Sequence, residues 1–203
     1  GCGKSAVLDI LEQDYDALVI QADRVAHELT EPGQECWQRI TDAFGREILD
    51  GDGRIDRPAL GKLVFGDEEK RQQLNRLTHP AVKEEIRRRI AESRKPFIVI
   101  EAALLLEDHY ESICDEIWYI YADRETRFKR LFESRGYSRE RTQAVMDSQM
   151  GEEELRKRCR ETIDNSRTLA ETKIQLEKRL LDKRIFRAQG AERTDGNTKE
   201  KRE

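Results

Sequence analysis

The stretch GCGKSAVLDIL, from Gly1 to Leu11, joins a phosphate-binding pattern to the start of a helix. Gly3-Lys4-Ser5 matches the end of the loop G-x-x-x-x-G-K-[ST], which holds nucleotide phosphates between a β-strand and an α-helix. Apolar residues with helical spacing follow directly. The N–H groups and the dipole at a helix N-terminus attract anions. The stretch therefore predicts a phosphate site, with a solvated turn as the alternative.

Short apolar runs alternate with helical segments along the rest of the chain. The runs lie at 17–20, 97–101, 116–121 and, more weakly, 161–164. Continuous apolar runs of this length are typical of buried parallel strands. Their alternation with helices predicts an α/β fold built on a parallel sheet.

Local signals predict where several helices begin and end. Pro58 is expected to open one helix, and Thr78-His79-Pro80 to interrupt another that Pro80 restarts. Asp123 is expected to cap a helix that begins near Arg124. The charged helical section that follows is expected to break at 135–138, and the capping box at 168–171 to open a last helix ending near Leu181.

Composition excludes several classes of function. Of the 203 residues, 38 are Lys or Arg and 42 are Asp or Glu, so a net charge of −4 argues against nucleic-acid binding. No apolar run of about 18 residues occurs, and we expect neither a membrane span nor a secretory signal. The four scattered cysteines lack a C-x-x-C pair, which favours reduced thiols and a cytoplasmic location.

Acidic residues follow two of the predicted strands. Asp23 comes just after the first run and Glu101 ends the second. Ligands of open α/β sheets bind at the carboxyl ends of the strands, where a carboxylate can orient a hydroxyl nucleophile. For Asp23, capping of the next helix is an equal alternative. For Glu101, support of Mg²⁺ competes with an ordinary acid at a strand end.

Three further motifs allow more than one interpretation. His79 is either a helix cap or a ligand contact. Arg130 and Arg135 flank a predicted hinge, which suggests a mobile lid over phosphates, although a plain charged helix pair is a fair rival. The acidic stretch 50–56 lacks the glycine and the final glutamate of a calcium loop, so we interpret it as a surface turn.

Together these stretches resemble the dephospho-CoA kinase family from Gly1 to about Leu181. The segments that carry the resemblance, with Gln149, are GCGKS at 1–5, VIQADRVAHELTEPG at 19–33, LNRLTHP at 74–80, FIVIEAALLLE at 97–107, SRGYSRE at 134–140 and TIDNS at 162–166. The resemblance implies a parallel-sheet core with a P-loop, a helical insert that binds substrate, and a lid. It also implies transfer of the γ-phosphoryl group of ATP to the 3′-hydroxyl of dephospho-CoA, the last step of coenzyme A biosynthesis.

The resemblance also assigns residues. It makes Lys4, Asp23, Arg130 and Arg135 catalytic, without deciding which lid arginine contacts the phosphate. Asp23, His79 and Glu101 are expected to bind dephospho-CoA, and Ser5 to bind the Mg²⁺ cofactor. The residues expected to bind ATP are Gly1, Cys2, Gly3, Lys4, Ser5, Ala6 and Asn165, the last of them near the adenine pocket.

The implied domain plan has four parts. They are a core at 1–23, 97–123 and 161–182, an insert at 24–96, a lid at 124–160 and a disordered tail at 187–203. Gln21 and Cys159-Arg160 depart from the usual residues of the family without removing a clear catalytic group.

The family pattern has a central strand and a glycine-rich run before GCGKS, so we expect about ten residues to precede Gly1. The alternatives are another P-loop kinase of nucleotides or nucleosides, and an inactive nucleotide-binding fragment. We expect a monomer or a weak homo-oligomer, without a nucleic-acid or membrane partner.

Overall fold

The computed structural model describes residues 1–102, 105–106 and 108–182. The chain forms two compact units, which we call the terminal unit and the central unit. The terminal unit contains Gly1–Ile10 and the described residues from Glu116 onward, and the central unit contains Leu11–Asp115. Helix α1 (Lys4–Tyr15) begins in the terminal unit and ends in the central unit.

The central unit contains a pair of parallel strands and several helices. Strand β1 (Leu18–Gln21) pairs in parallel with β2 (Ile98–Glu101), with Gln21 opposite Glu101. The other described elements are α2 (Ala22–Leu29), α3 (Glu35–Phe44), α4 (Arg57–Val64), α5 (Glu68–Glu92) and the short 3₁₀ turns Arg46–Ile48 and Tyr110–Ser112. Parallel pairing confirms the α/β prediction for these two strands.

Two apolar clusters hold the central unit together. In one, Ile20 of β1 and Val25 of α2 pack against Val82 and Ile86 of α5. In the other, Ile40 and residues near it pack where α3, α4 and the first 3₁₀ turn meet. Full burial of side chains of this size contributes roughly 1.5–3 kcal/mol each. The first cluster fixes α2, and therefore Asp23, beside the end of β1.

The terminal unit repeats the parallel arrangement. Strand β3 (Trp118–Tyr121) pairs in parallel with β4 (Glu161–Asp164). Its remaining described elements are α6 (Arg124–Arg135), α7 (Arg139–Asp147), α8 (Glu152–Arg158) and α9 (Leu169–Asp182). The Asp123 carboxylate accepts the Thr126 N–H at 2.9 Å, which confirms the predicted cap of α6.

The capping box of α9 is also present. The Glu171 N–H donates to the Thr168 hydroxyl at 3.2 Å, and the Thr168 N–H donates back to the Glu171 carboxylate at 3.1 Å. The predicted break after α6 occurs at Gly136, which has a left-handed φ of 63° and ends the helix. A second break, at 148–151 between α7 and α8, was not predicted.

The prediction that Thr78-His79-Pro80 interrupts a helix is wrong. Helix α5 runs without a break through all 25 residues from Glu68 to Glu92, with Pro80 inside it. An internal proline costs about 3 kcal/mol because it removes a backbone hydrogen bond and crowds the preceding turn. The buried side chains of Val82 and Ile86, and the packing of α5 against α2, α3 and α4, offset this cost.

Two predictions concern parts of the chain that the structure does not describe. The predicted tail at 187–203 lies outside the described residues. The strand expected before Gly1 would lie outside the sequence. Both stay predictions, as do the predicted boundaries of core, insert and lid.

Candidate functional site

The phosphate-binding motif forms a loop that leads directly into a helix. Helix α1 begins at Lys4, and the Gly3 carbonyl accepts its first hydrogen bond from the Val7 N–H at 3.3 Å. The first N–H groups of a helix have no carbonyl partner within it. Lys4 and Ser5 are exposed in this first turn. The start of α1 is therefore arranged as the sequence predicts for a phosphate site.

Gly3 has a conformation that requires glycine. Its φ is 77°, in the left-handed region, and a β-carbon added to it would overlap the side-chain amide of Asn165. That amide donates a hydrogen bond to the Cys2 carbonyl at 2.9 Å. The loop backbone therefore packs directly against Asn165. The Asn165 side chain therefore holds the loop in place. Contact between Asn165 and adenine stays a prediction.

Arg130 lies beside the same loop. Its Nη1 would be 3.3 Å from a β-carbon on Gly3, and this nitrogen is buried without a hydrogen-bond partner among the described residues. A buried guanidinium nitrogen without a partner is costly. An anion bound at the loop would supply the missing acceptor, so the unpaired nitrogen points to a phosphate ligand.

Arg135 is placed differently. It is in the last turn of α6, and its guanidinium lies 6.0 Å from the centre of the Tyr137 ring. Tyr137 also contacts Arg141 at 4.1 Å on the α7 side of the hinge. Of the two predicted lid arginines, Arg130 is the one whose unpaired guanidinium nitrogen lies beside Gly3.

The loop is surrounded by positive charge. Lys4 belongs to the first turn of α1, Arg130 has a guanidinium nitrogen close to Gly3, and Arg127 precedes Arg130 by three residues on α6. Arg127 also has a buried Nε without a partner among the described residues, and its Nη2 donates to Gln149 at 2.9 Å. The surroundings of the loop thus favour an anion.

Magnesium would require few ligands from the protein at such a site. Mg²⁺ is usually held by substrate phosphates, water and only one or two protein groups. Ser5, exposed in the first turn of α1, fits this arrangement as a hydroxyl ligand. Within residues 1–102, 105–106 and 108–182, no group of three or more His, Cys, Asp or Glu side chains could form a metal cage.

In the central unit, two predicted acids lie near the same edge of the strand pair. Glu101 is the last residue of β2 and stands opposite Gln21, while Asp23 is the second residue of α2, two positions after β1 ends. The capping position of α2 is Gln21, and it makes no side-chain cap. The alternative that Asp23 caps the helix is therefore wrong. Its exposed carboxylate belongs to the first helical turn.

A cavity of about 370 Å³ opens beside Asp23 in the central unit. Elements α2, α4 and α5 contribute to its lining, which includes Asp23, Arg57, His79, Asp108 and Tyr110. Of the three predicted dephospho-CoA residues, Asp23 and His79 line this cavity. Glu101 is not among the described lining residues, although its neighbour Ala102 is.

His79 is a cavity residue rather than a helix cap. It lies inside α5, and its Nδ1 is 3.0 Å from the Asp108 carboxylate. Lys83, one turn further along α5, donates to the Asp108 backbone carbonyl and lies 5.3 Å from the centre of the Tyr110 ring. These contacts hold the imidazole of His79, together with Asp108 and Tyr110, at one wall of the cavity.

The cavity contains charges of both signs. Partial burial lowers the pKa of Arg57, and the charges of Asp23 and Glu31 oppose that effect. Burial raises the pKa of Tyr110, and the negative charges of Asp108 and Asp23 raise it further. At neutral pH the cavity therefore has a cationic guanidinium, a neutral phenol and nearby carboxylates. This combination suits a polar ligand that contains both phosphate and hydroxyl groups.

Sequence reasoning missed Arg57, Asp108 and Tyr110. The sequence contains a partial signal for Arg57. Asp56-Arg57-Pro58 is typical of a helix start, and this pattern makes Arg57 the first residue of α4. No local pattern marks Asp108 or Tyr110, which meet α5 only after the chain has folded.

Among the described residues, no helix is both long enough and apolar enough to span a membrane.

Comparison with known proteins identifies the chain's relatives. Residues 1–171 match the family described as CoaE, dephospho-CoA kinase. A dephospho-CoA kinase of Carboxydothermus hydrogenoformans is 42% identical over 177 residues, which cover 86% of this chain and 85% of that protein. One from Bacillus cereus is 40% identical over 179 residues, covering 86% of this chain and 88% of that protein.

Solved structures have the same fold. A crystal structure of a Thermus thermophilus protein aligns with a TM-score of 0.73 and 30% identity over 89% of this chain and 92% of that one. A dephospho-CoA kinase from Campylobacter jejuni aligns with a TM-score of 0.65 and 27% identity over 90% and 92% of the two chains. With a family match over residues 1–171 and relatives about 40% identical along most of their length, the chain belongs to the dephospho-CoA kinase family.

Proposed function

We propose that this chain transfers the γ-phosphoryl group of ATP to the 3′-hydroxyl of dephospho-CoA, giving coenzyme A and ADP. The observation that carries the proposal is the buried, unpaired nitrogen of Arg130 beside Gly3, where α1 begins. A loop that leads into a helix N-terminus, with an unpaired arginine nitrogen beside it, is suited to a polyphosphate. The family relationship supports dephospho-CoA as the acceptor, which makes the reaction the last step of coenzyme A biosynthesis.

In this proposal the terminal unit binds ATP. N–H groups from Gly1 to Ala6 hold the phosphates, and Lys4 offsets their charge. Arg130 donates to the oxygens of the γ-phosphoryl group, which stay highly charged during transfer. Mg²⁺ bound by the nucleotide and by the Ser5 hydroxyl supplies further charge neutralisation. Arg135 contributes positive charge from the end of α6 without the same direct contact.

The cavity of the central unit is the proposed binding place of dephospho-CoA. His79 is held by Asp108 and can hydrogen-bond the substrate, and Arg57 can pair with one of its phosphates. Asp23 is exposed in the first turn of α2 and is not occupied by helix capping. It is therefore suited to align the 3′-hydroxyl, or to accept its proton as the oxygen attacks. Glu101, at the end of β2, is a weaker candidate for substrate contact.

The test is an ADP-release assay on the purified protein with Mg²⁺ and ATP. Dephospho-CoA, adenosine and AMP serve as separate acceptors, and the products are identified by mass. We expect turnover with dephospho-CoA and a product one phosphate heavier. Turnover with adenosine or AMP alone would favour another nucleoside or nucleotide kinase. ATP binding without turnover on any acceptor would favour an inactive binding module.

The setting of the enzyme is also proposed. A net charge of −4 gives no general attraction to nucleic acid, and the cysteines are free in the structure, two of them buried. Both features suit a reducing cytoplasm, in which the protein acts as a monomer or weak homo-oligomer. Size-exclusion chromatography with light scattering would measure the oligomeric state.

A further inference from the structure

Asn165 lies at a junction of three segments of the terminal unit. It follows directly after β4, and its backbone N–H donates to the Tyr121 carbonyl at the end of β3, at 2.8 Å. Only 1% of the residue is exposed. An asparagine side chain buried this completely must find its hydrogen-bond partners within the protein.

Both ends of the Asn165 side chain have a partner. Its Nδ2 donates to the Cys2 carbonyl at 2.9 Å, across 163 residues of sequence. Its Oδ1 accepts from the Thr172 hydroxyl, also at 2.9 Å. Thr172 is fully buried in α9, and the other acceptor of its hydroxyl, the Thr168 carbonyl, lies farther away at 3.2 Å. Because the Cys2 carbonyl can only accept, the amide is oriented with its NH₂ group toward Cys2, and Oδ1 is left to accept from the Thr172 hydroxyl.

This contact fixes the direction of one peptide group in the phosphate loop. The carbonyl of Cys2 and the N–H of Gly3 belong to the same planar trans peptide, so they point in opposite directions. When Asn165 holds the carbonyl, the Gly3 N–H is turned away from Asn165. Among the described residues, no hydrogen bond is formed by that N–H. Arg130, with its own unpaired nitrogen, lies close to the same glycine.

We infer that Asn165 is a positioning residue for phosphate binding, holding the Cys2–Gly3 peptide so that the Gly3 N–H faces an ATP phosphate, with Thr172 fixing the amide. The inference rests on the proposed function only in taking ATP as the ligand of the loop. It gives Asn165 a different task from the adenine contact expected from sequence. Positioning of the peptide affects binding of the phosphates of ATP, whereas an adenine contact would affect binding of its base.

The test compares the binding of ATP and of inorganic tripolyphosphate by isothermal titration calorimetry, with Mg²⁺ present. Asn165→Asp keeps the size of the side chain but places a carboxylate oxygen against the Cys2 carbonyl. We expect both ligands to bind about tenfold more weakly or worse, by the same factor, because a shared phosphate contact is disturbed. An adenine contact would weaken ATP binding alone and leave tripolyphosphate unchanged.

Thr172 provides a matched pair of variants that does not depend on how well Asn165→Asp folds. Thr172→Ser keeps the hydroxyl and should bind tripolyphosphate like the wild type. Thr172→Val is similar in size but loses the hydroxyl, and should bind it more weakly, with thermal melts confirming that both variants fold. Equal tripolyphosphate binding by the two would overturn the inference while leaving the proposed function intact. Failure of the wild type to bind either ligand would overturn both.

Discussion

Arg130 and Gly3 lie close enough that a β-carbon on Gly3 would be 3.3 Å from the guanidinium of Arg130. They come from α6 and from the loop before α1, which are far apart in sequence. The guanidinium nitrogen that approaches the loop is buried and unpaired, whereas the guanidinium of Arg135 lies 6.0 Å from the centre of the Tyr137 ring. The two arginines that sequence treats as equal are therefore distinguished by their surroundings.

Arg130→Ala should lower kcat by about 10³-fold or more, because arginines that offset charge on the transferring phosphoryl group have effects of this size. Arg130→Lys should recover only part of the rate, since the planar fork of donors is lost. Steady-state kinetics with ATP and dephospho-CoA would measure both. We expect a much smaller loss for Arg135→Ala.

Lys129→Ala is the matched control for the Arg130 variants. Lys129 is exposed on the same helix, so its removal costs one positive charge without touching the loop. Its kcat should stay near the wild-type value. Equal rates for Arg130→Ala and Lys129→Ala would contradict a catalytic role for Arg130.

Asp23→Asn should lower kcat by roughly 10²–10⁴-fold while ATP binding persists. The asparagine keeps the shape but neither accepts a proton nor supplies a negative charge. Because Asp23 is exposed and caps no helix, the loss of stability should be small, about 0.3–1 kcal/mol for its interaction with the helix dipole. The ADP-release assay and thermal melts would separate the two effects.

The control for Asp23 is Asp52→Asn. Asp52 is an exposed acid of the same unit, in the turn between the first 3₁₀ turn and α4, and does not line the cavity. It should retain full activity. An Asp23→Asn enzyme as fast as this control would refute the assignment of Asp23.

His79→Ala should raise KM for dephospho-CoA by roughly 3- to 10-fold, the effect of one hydrogen bond, with KM for ATP unchanged. The reason is that His79 lines the cavity of the central unit, where Asp108 holds its ring. His109→Asn is a suitable control, because His109 is an exposed histidine with a left-handed φ of 55° that asparagine tolerates. A change in KM for ATP with no change in KM for dephospho-CoA would contradict the assignment of His79 to the dephospho-CoA site.

Glu85 should make stability depend on pH in acid. Hydrogen bonds from Arg88 and then Arg89 lower its pKa to about 2, and Arg89 also pairs with Glu28 of α2. The pKa in the unfolded chain is about 4.3. A carboxyl group whose pKa is lowered by folding stabilises the protein above the unfolded pKa, and this stabilisation is lost as pH falls toward the folded pKa.

The measurement for Glu85 is urea unfolding of the wild type and Glu85→Gln across this range. At about pH 7 the variant should be less stable by about 1 kcal/mol, because the arginines that pair with Glu85 are themselves partly exposed and solvent weakens the attraction. The difference should shrink between about pH 4.3 and about pH 2. Glu84→Gln, whose side chain is 78% exposed, is the matched control and should change the stability at about pH 7 by less than Glu85→Gln does. A Glu85 difference that persists at pH 2 would contradict the role of its charge.

The sequence by itself determined the features that depend on neighbouring residues. The helix start at Lys4, the caps at Asp123 and Thr168 and the four short strands all follow from local spacing and composition. The order of these motifs also carried enough information to indicate the family. Each of these signals is complete within a few residues, so no knowledge of the packing is needed.

Only the tertiary structure decided the contacts between distant segments. Local rules predict that Pro80 breaks a helix, yet packing of α5 on three other helices keeps it whole. The bond from Asn165 to Cys2, the pairing of His79 with Asp108, and the approach of Arg130 to Gly3 each bring together residues that no local pattern relates. Such contacts form because folding brings distant polar groups together, and burial makes a polar group costly unless it is paired within the protein or by a ligand.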